Sequence, residues 1–138
     1  AVDALAGVAR SFPGLKITLD HCCLPLDTMD SDVGAELQPV LELAALPNIA
    51  VKLSALPCHS SEPYPYPGLQ RHVRALLDAF GKKRCFWGSD LSRLPCNYSQ
   101  AVSHFTEHMP VLSEDELEWV MGKAVCEWLG WNRLPKPA

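Results

Sequence analysis

Nothing in this sequence has the length of a membrane span. No apolar run approaches the ~18 residues that a spanning helix needs. Positive charge is equally scarce. Lys82-Lys83-Arg84 is the one basic cluster, and the net charge is −4. Such a balance argues against a nucleic-acid partner or an anionic membrane surface. The N-terminus has no starting Met, no basic region and no signal-type apolar core; an internal cut in a longer protein reads this way, and secretion does not. No C-x-x-C pair occurs among Cys22, Cys23, Cys58, Cys85, Cys96 and Cys126. A structural zinc site is therefore unsupported, and reduced thiols in a cytoplasmic setting are expected. Gly-x-Ser-x-Gly is missing around Ser89, so no nucleophile elbow is present.

What is present is a globular composition, 48% hydrophobic and 20% charged over 138 residues. One domain of ordinary size follows. Val2, Leu5, Ala6, Val8, Ala9 and Phe12 share one face at helical spacing, and Pro13-Gly14 stops that helix. Short apolar runs predict strands at 16–20, 49–54 and 85–88. Between them, helical patterns fall at about 33–46 and 68–80. Pro39 is read as early in its helix or as its first residue, and Gly81 as a C-cap. Asn97 with Gln100, and Ser113 with Glu116, predict capping boxes for later helices. Strand–helix units repeating after 32 and 35 residues give right-handed crossovers and parallel neighbours. Three such units are three of the eight in a (β/α)8 TIM barrel. An open piece of that kind leaves two sheet edges and a lumen face bare, which predicts a homo-oligomer, poor solubility or loose packing.

Two strands stop at ionisable side chains. Ile17-Thr18-Leu19 runs into Asp20-His21, and Cys85-Phe86-Trp87-Gly88 into Ser89-Asp90. In parallel α/β folds the carboxyl edge of the sheet carries the chemistry. Asp90 is thus a candidate general base or metal ligand; the rival role is a helix or loop cap. His21 is a candidate metal ligand or carbonyl polariser, against a hydrogen-bonded core histidine. Asp20 reads as structural. Arg93 is a candidate carboxylate clamp. Lys52, within an apolar strand, either meets an anionic substrate or snorkels outward. Ser54 and His59 follow the second strand and are candidates for the mouth of the site. His104 and His108 are four apart, but a polar helix face is the favoured reading. Trp119, Trp128 and Trp131 are read as packing residues.

Leu19-Asp20-His21 with Pro25, then Asn48 through Ser54, then Ala79-Phe80-Gly81, Arg84 and Phe86-Trp87-Gly88-Ser89-Asp90 resemble strands six, seven and eight of the amidohydrolase-related (amidohydrolase-2) family. Met121-Gly122-Lys123-Ala124 stands where that family carries Gly-Asn-Ala. The resemblance implies the C-terminal part, over residues 1–138, of a TIM-barrel hydrolase or lactonase. It also implies a small lactone, amide or carboxylated-ring substrate. Asp90 and His21 become catalytic residues, holding a divalent metal such as zinc or working in a metal-independent site. Within the family a decarboxylase is the enzymatic alternative. A non-catalytic α/β fragment or binding module is the alternative of another class. Departures are Cys22-Cys23 in place of a Gly-containing turn, Lys123 in place of Asn, and no His-x-His pair from a first strand.

Overall fold

A computed structural model describes residues 2–131. The chain alternates helix and strand: α1 (Val2–Ser11), β1 (Ile17–Leu19), α2 (Asp32–Glu42), β2 (Ile49–Ser54), α3 (Gln70–Phe80), β3 (Cys85–Gly88), α4 (Tyr98–Thr106), α5 (Glu114–Glu118) and α6 (Ala124–Leu129). A π-helical turn, Trp119–Lys123, joins α5 to α6. The three strands form one parallel sheet in the order β1-β2-β3. Ile17 pairs with Ile49, and Val51 with Cys85, which fixes the register. Among the described residues no helix is long and apolar enough to cross a membrane.

The period of two along β2 decides what each side meets. Ile49, Val51 and Leu53 face the main core with Leu19 and Cys85. Val33, Leu37 and Val40 of α2 and Val73, Leu76, Leu77 and Phe80 of α3 close over them. Each such large side chain contributes about 1.5–3 kcal/mol on burial. On the other side, Ala50 and Phe86 pack against Ala124, Trp119, Val125 and Trp128. That second cluster covers the Ala50 and Phe86 part of the face expected to be bare, while Thr18 on the same face stays exposed. Helix α6 lies across the covered part, and Lys16 reaches over to donate to the Trp128 carbonyl.

Both capping boxes form, and Gly81 ends α3 with φ 76°. Pro39 is neither early nor first in α2: it sits well inside, with eleven residues from Asp32 to Glu42. Pro39 lacks an N–H, so the carbonyl four residues back loses its partner. Pro39 and Ala35 are both exposed, on the solvent side of the helix.

The turn after β1 is the least relaxed part of the backbone. His21, Cys22 and Cys23 have φ of 50°, 53° and 58°, the region that glycine occupies at least cost. Cys23 is exposed, so its side chain contributes no packing. Cys23→Gly is expected to stabilise the fold by roughly 0.5–1 kcal/mol, the relief of left-handed strain less the added entropy of the unfolded chain. A thermal melt checks this, and a lower midpoint in the variant defeats it.

Candidate functional site

All three strands run the same way, so their carboxyl ends share one edge of the sheet. At that edge each strand is followed by a non-glycine residue in the left-handed region: His21 after β1, Ala55 (φ 57°) after β2 and Asp90 (φ 52°) after β3. Asp and His tolerate this region better than most residues. Strain of this kind gathers at functional sites because the surrounding structure must hold it in place.

The two strand-end residues singled out from the sequence come together. His21 Nε2 lies 3.4 Å from Asp90 Oδ2. Arg93 Nη1 lies 3.8 Å from the same oxygen, so Arg93 faces Asp90 before it can face any substrate carboxylate. Asp90 Oδ2 is buried and accepts no hydrogen bond among the described residues. A buried carboxylate oxygen with free lone pairs, beside an imidazole and a guanidinium, is a place for a proton, a water or a cation. On the other ring nitrogen, His21 Nδ1 is 2.8 Å from Ser54 Oγ. Opposite Ser54 in the register is Gly88, where a Cβ would come within 3.2 Å of the serine Cβ.

Lys52 belongs to a different arrangement. Its Nζ donates to Asp20 Oδ1 at 2.6 Å, and this hydrogen bond holds the Asp20 carboxyl below its ordinary range. Both line a cleft of about 360 Å3 with Thr18, Phe86 and Trp128 on the inner side of the sheet. His59 is not brought to Asp90. It is 1% exposed, and its Nδ1 donates to the Thr28 carbonyl at 2.8 Å. It borders a separate cleft of about 330 Å3 with Asp30, Glu62, Arg71 and His72. The loop behind Arg93 is tied by the Cys58 thiol, which donates to the Arg93 carbonyl; no pattern in the sequence announces that bond.

Two other readings are corrected. His104 is no part of a solvated helix face: it is 1% exposed, edge-on to Tyr66 and Phe105. Burial pushes its pKa down to about 4, with the nearby His108 adding to the effect. Trp131 is 61% exposed and does not pack, whereas Trp119 and Trp128 do. Lys123 pairs with Glu118 on the surface.

The donors at the edge suit a divalent ion in kind. An imidazole nitrogen and a carboxylate oxygen are both zinc ligands. Their number is short of a catalytic centre, which has three protein ligands. Among the described residues no group of three or more His, Cys, Asp or Glu is placed to hold a metal.

The sequence model of the amidohydrolase family matches residues 1–125. The chain belongs to the amidohydrolase family. Over 98 residues it is 41% identical to an L-fucono-1,5-lactonase of Burkholderia ambifaria, covering 67% of this chain and 32% of that protein. An amidohydrolase of Burkholderia multivorans, solved with bound zinc, superposes with a TM-score of 0.74 at 25% identity. That match covers 94% of this chain and 49% of the other. A 5-carboxyvanillate decarboxylase of Sphingomonas paucimobilis shares the fold with a TM-score of 0.58 at 22% identity, over 90% of this chain and 36% of its own. The chain therefore spans about a third to about a half of the length of these relatives.

Proposed function

We propose that this amidohydrolase chain forms the last three βα units of a (β/α)8 barrel and supplies part of the active site of a lactone hydrolase. The observation that carries the reading is the convergence of His21 and Asp90, 3.4 Å apart at the carboxyl edge of the sheet. The 41% identity to a lactonase supports a lactone as the substrate class.

Asp90 is the general base. Its buried Oδ2 takes a proton from water as the water oxygen bonds to the lactone carbonyl carbon. The ring C–O bond then breaks, and the proton passes to the leaving alkoxide, giving a hydroxy acid. His21 orients the carbonyl oxygen from the opposite strand end. Arg93, 3.8 Å from Asp90 Oδ2, meets the product carboxylate as it forms. Lys52 and the aromatic wall of Phe86 and Trp128 border the inner cleft, where an anionic or hydroxylated ring would rest. His21 and Asp90 would hold a divalent ion such as zinc, with further ligands from outside this chain. Such an ion supplies Lewis-acid polarisation of the carbonyl and a lowered pKa for bound water. We also propose a small-molecule substrate, self-association as a homo-oligomer, no nucleic-acid partner and a cytosolic setting.

The test is acid release from a panel of sugar lactones and small amides by the polypeptide carrying the whole barrel, with and without added zinc. Ring opening of lactones is expected, and no turnover from the 138-residue chain alone. Carbon dioxide release from a carboxylated aromatic ring, with no lactone opened under either condition, defeats the reading.

A further inference from the structure

We propose that Ser54 is a positioning residue for His21: its hydroxyl donates to Nδ1 and keeps the ring proton on Nε2, toward Asp90. The role rests on the reading of His21 as a site residue and deepens it. Ser54 is 1% exposed, and among the described residues its hydroxyl bonds to His21 Nδ1 at 2.8 Å and to nothing else.

The hydrogen-bond chemistry fixes the direction. An ionised carboxylate only accepts. Asp90 Oδ2 lies 3.4 Å from His21 Nε2, outside hydrogen-bond geometry but close enough that an N–H on Nε2 is favoured over a lone pair opposed to the carboxylate. Nδ1 is then the lone-pair nitrogen, and the partner it needs is a donor. Ser54 supplies one. A hydroxyl both donates and accepts, so the same residue serves when Nε2 gives up its proton to a divalent ion and Nδ1 carries it instead. Few other side chains of this size reverse their role in this way.

The fold holds Ser54 for this task. It is the last residue of β2, paired with Gly88 of β3. Gly88 leaves open the space that a Cβ would take, 3.2 Å from the serine Cβ. His21, with left-handed backbone, brings its imidazole to Ser54 at the end of β2. Ser54 thus links all three strand ends: it bonds to the residue after β1, ends β2, and sits beside the glycine that closes β3.

The test reads the two ring nitrogens directly. Long-range proton–nitrogen correlation spectra are recorded on nitrogen-15-labelled protein, freed of metal by chelation, at roughly pH 8.5, well above the ordinary imidazole range. His21 signals are assigned by their loss in His21→Gln. The expected pattern is a pyrrole-type Nε2 and a pyridine-type Nδ1 shifted by hydrogen bonding. In Ser54→Ala the Nδ1 signal moves to the unbonded pyridine-type position. In the same variant of the complete enzyme, kcat falls about tenfold or more with KM unchanged. A pyrrole-type Nδ1 in the metal-free wild type overturns the proposal without any variant. So does an Nδ1 shift that Ser54→Ala leaves in place. The spectra need no substrate, so they stand or fall separately from lactone hydrolysis.

Discussion

Asp90→Asn, in the polypeptide that carries the whole barrel, is expected to lose at least about 10²-fold in turnover, the usual consequence of removing a general base. The substitution is well matched to its purpose. Asn has the shape of Asp and also tolerates the left-handed region, so the φ of 52° at this position need not change. The backbone turn that follows β3, with the Arg93 N–H bonded to the carbonyl of residue 90, is unaffected. What changes is charge and basicity. The buried Oδ2 lies 3.4 Å from His21 Nε2 and 3.8 Å from Arg93 Nη1. A neutral amide offers neither the proton acceptor nor the counter-charge, and its NH2 group faces donors. Asp90→Ala would be less clear, because alanine adds left-handed strain to the loss of the carboxylate. Turnover is to be measured beside a thermal melt. Near-wild-type hydrolysis by a folded Asp90→Asn enzyme removes Asp90 from the mechanism. A collapsed melting temperature would assign the residue to structure.

The strands and the two edge residues were legible because a buried parallel strand writes itself as a short apolar run. Ile49 to Ser54 and Cys85 to Gly88 are such runs, and their ends fell where expected. His21 and Asp90 followed from the ends of two parallel strands, and parallel neighbours bring strand ends together. Other features had no local signature. His59 follows the same strand as Ser54, but its loop turns the ring toward Thr28, away from the edge. No residue type marks that choice. His104 looks polar in any helical projection, yet Tyr66, from a loop well before it in the chain, packs edge-on against its ring. The covering of Ala50 and Phe86 by α6 is a tertiary contact between segments whose periodicity says nothing about which face of the sheet they meet. The left-handed residues at the three strand ends were hidden because none of them is Gly or Asn.

Arg84→Met is expected to cost about 3 kcal/mol of stability. Arg84 stands one residue before β3, and its guanidinium donates to four carbonyls: Ala44 at 2.8 Å, Leu46 at 2.9 Å, Ile49 at 3.0 Å and Phe80 at 3.1 Å. Two of these lie where the helical stretch after α2 ends, one is the last residue of α3, and one opens β2. Carbonyls at a helix C-terminus carry partial negative charge and lack intrahelical partners. One planar fork therefore ties both crossover helices to the start of two strands and helps to set the register that delivers Ser54, Gly88 and Asp90 to the same edge. Burial draws the Arg84 pKa down, since no carboxylate is paired with it among the described residues. It remains charged at neutral pH because an arginine starts so high. Methionine keeps an apolar stem beside the Phe80 ring, over which the guanidinium now sits at 5.3 Å. What it loses is the donors; the Leu46 carbonyl keeps the Ile49 N–H, and each other part-buried carbonyl left without a partner costs about 1–3 kcal/mol where water cannot reach it. Urea unfolding measures the difference. Arg84→Lys should recover less than half, because one ammonium cannot span four acceptors in a fixed fork. A loss within about 0.5 kcal/mol for Arg84→Met, the range of an ordinary surface change, would show that solvent satisfies those carbonyls and that the helix ends hold their places without it.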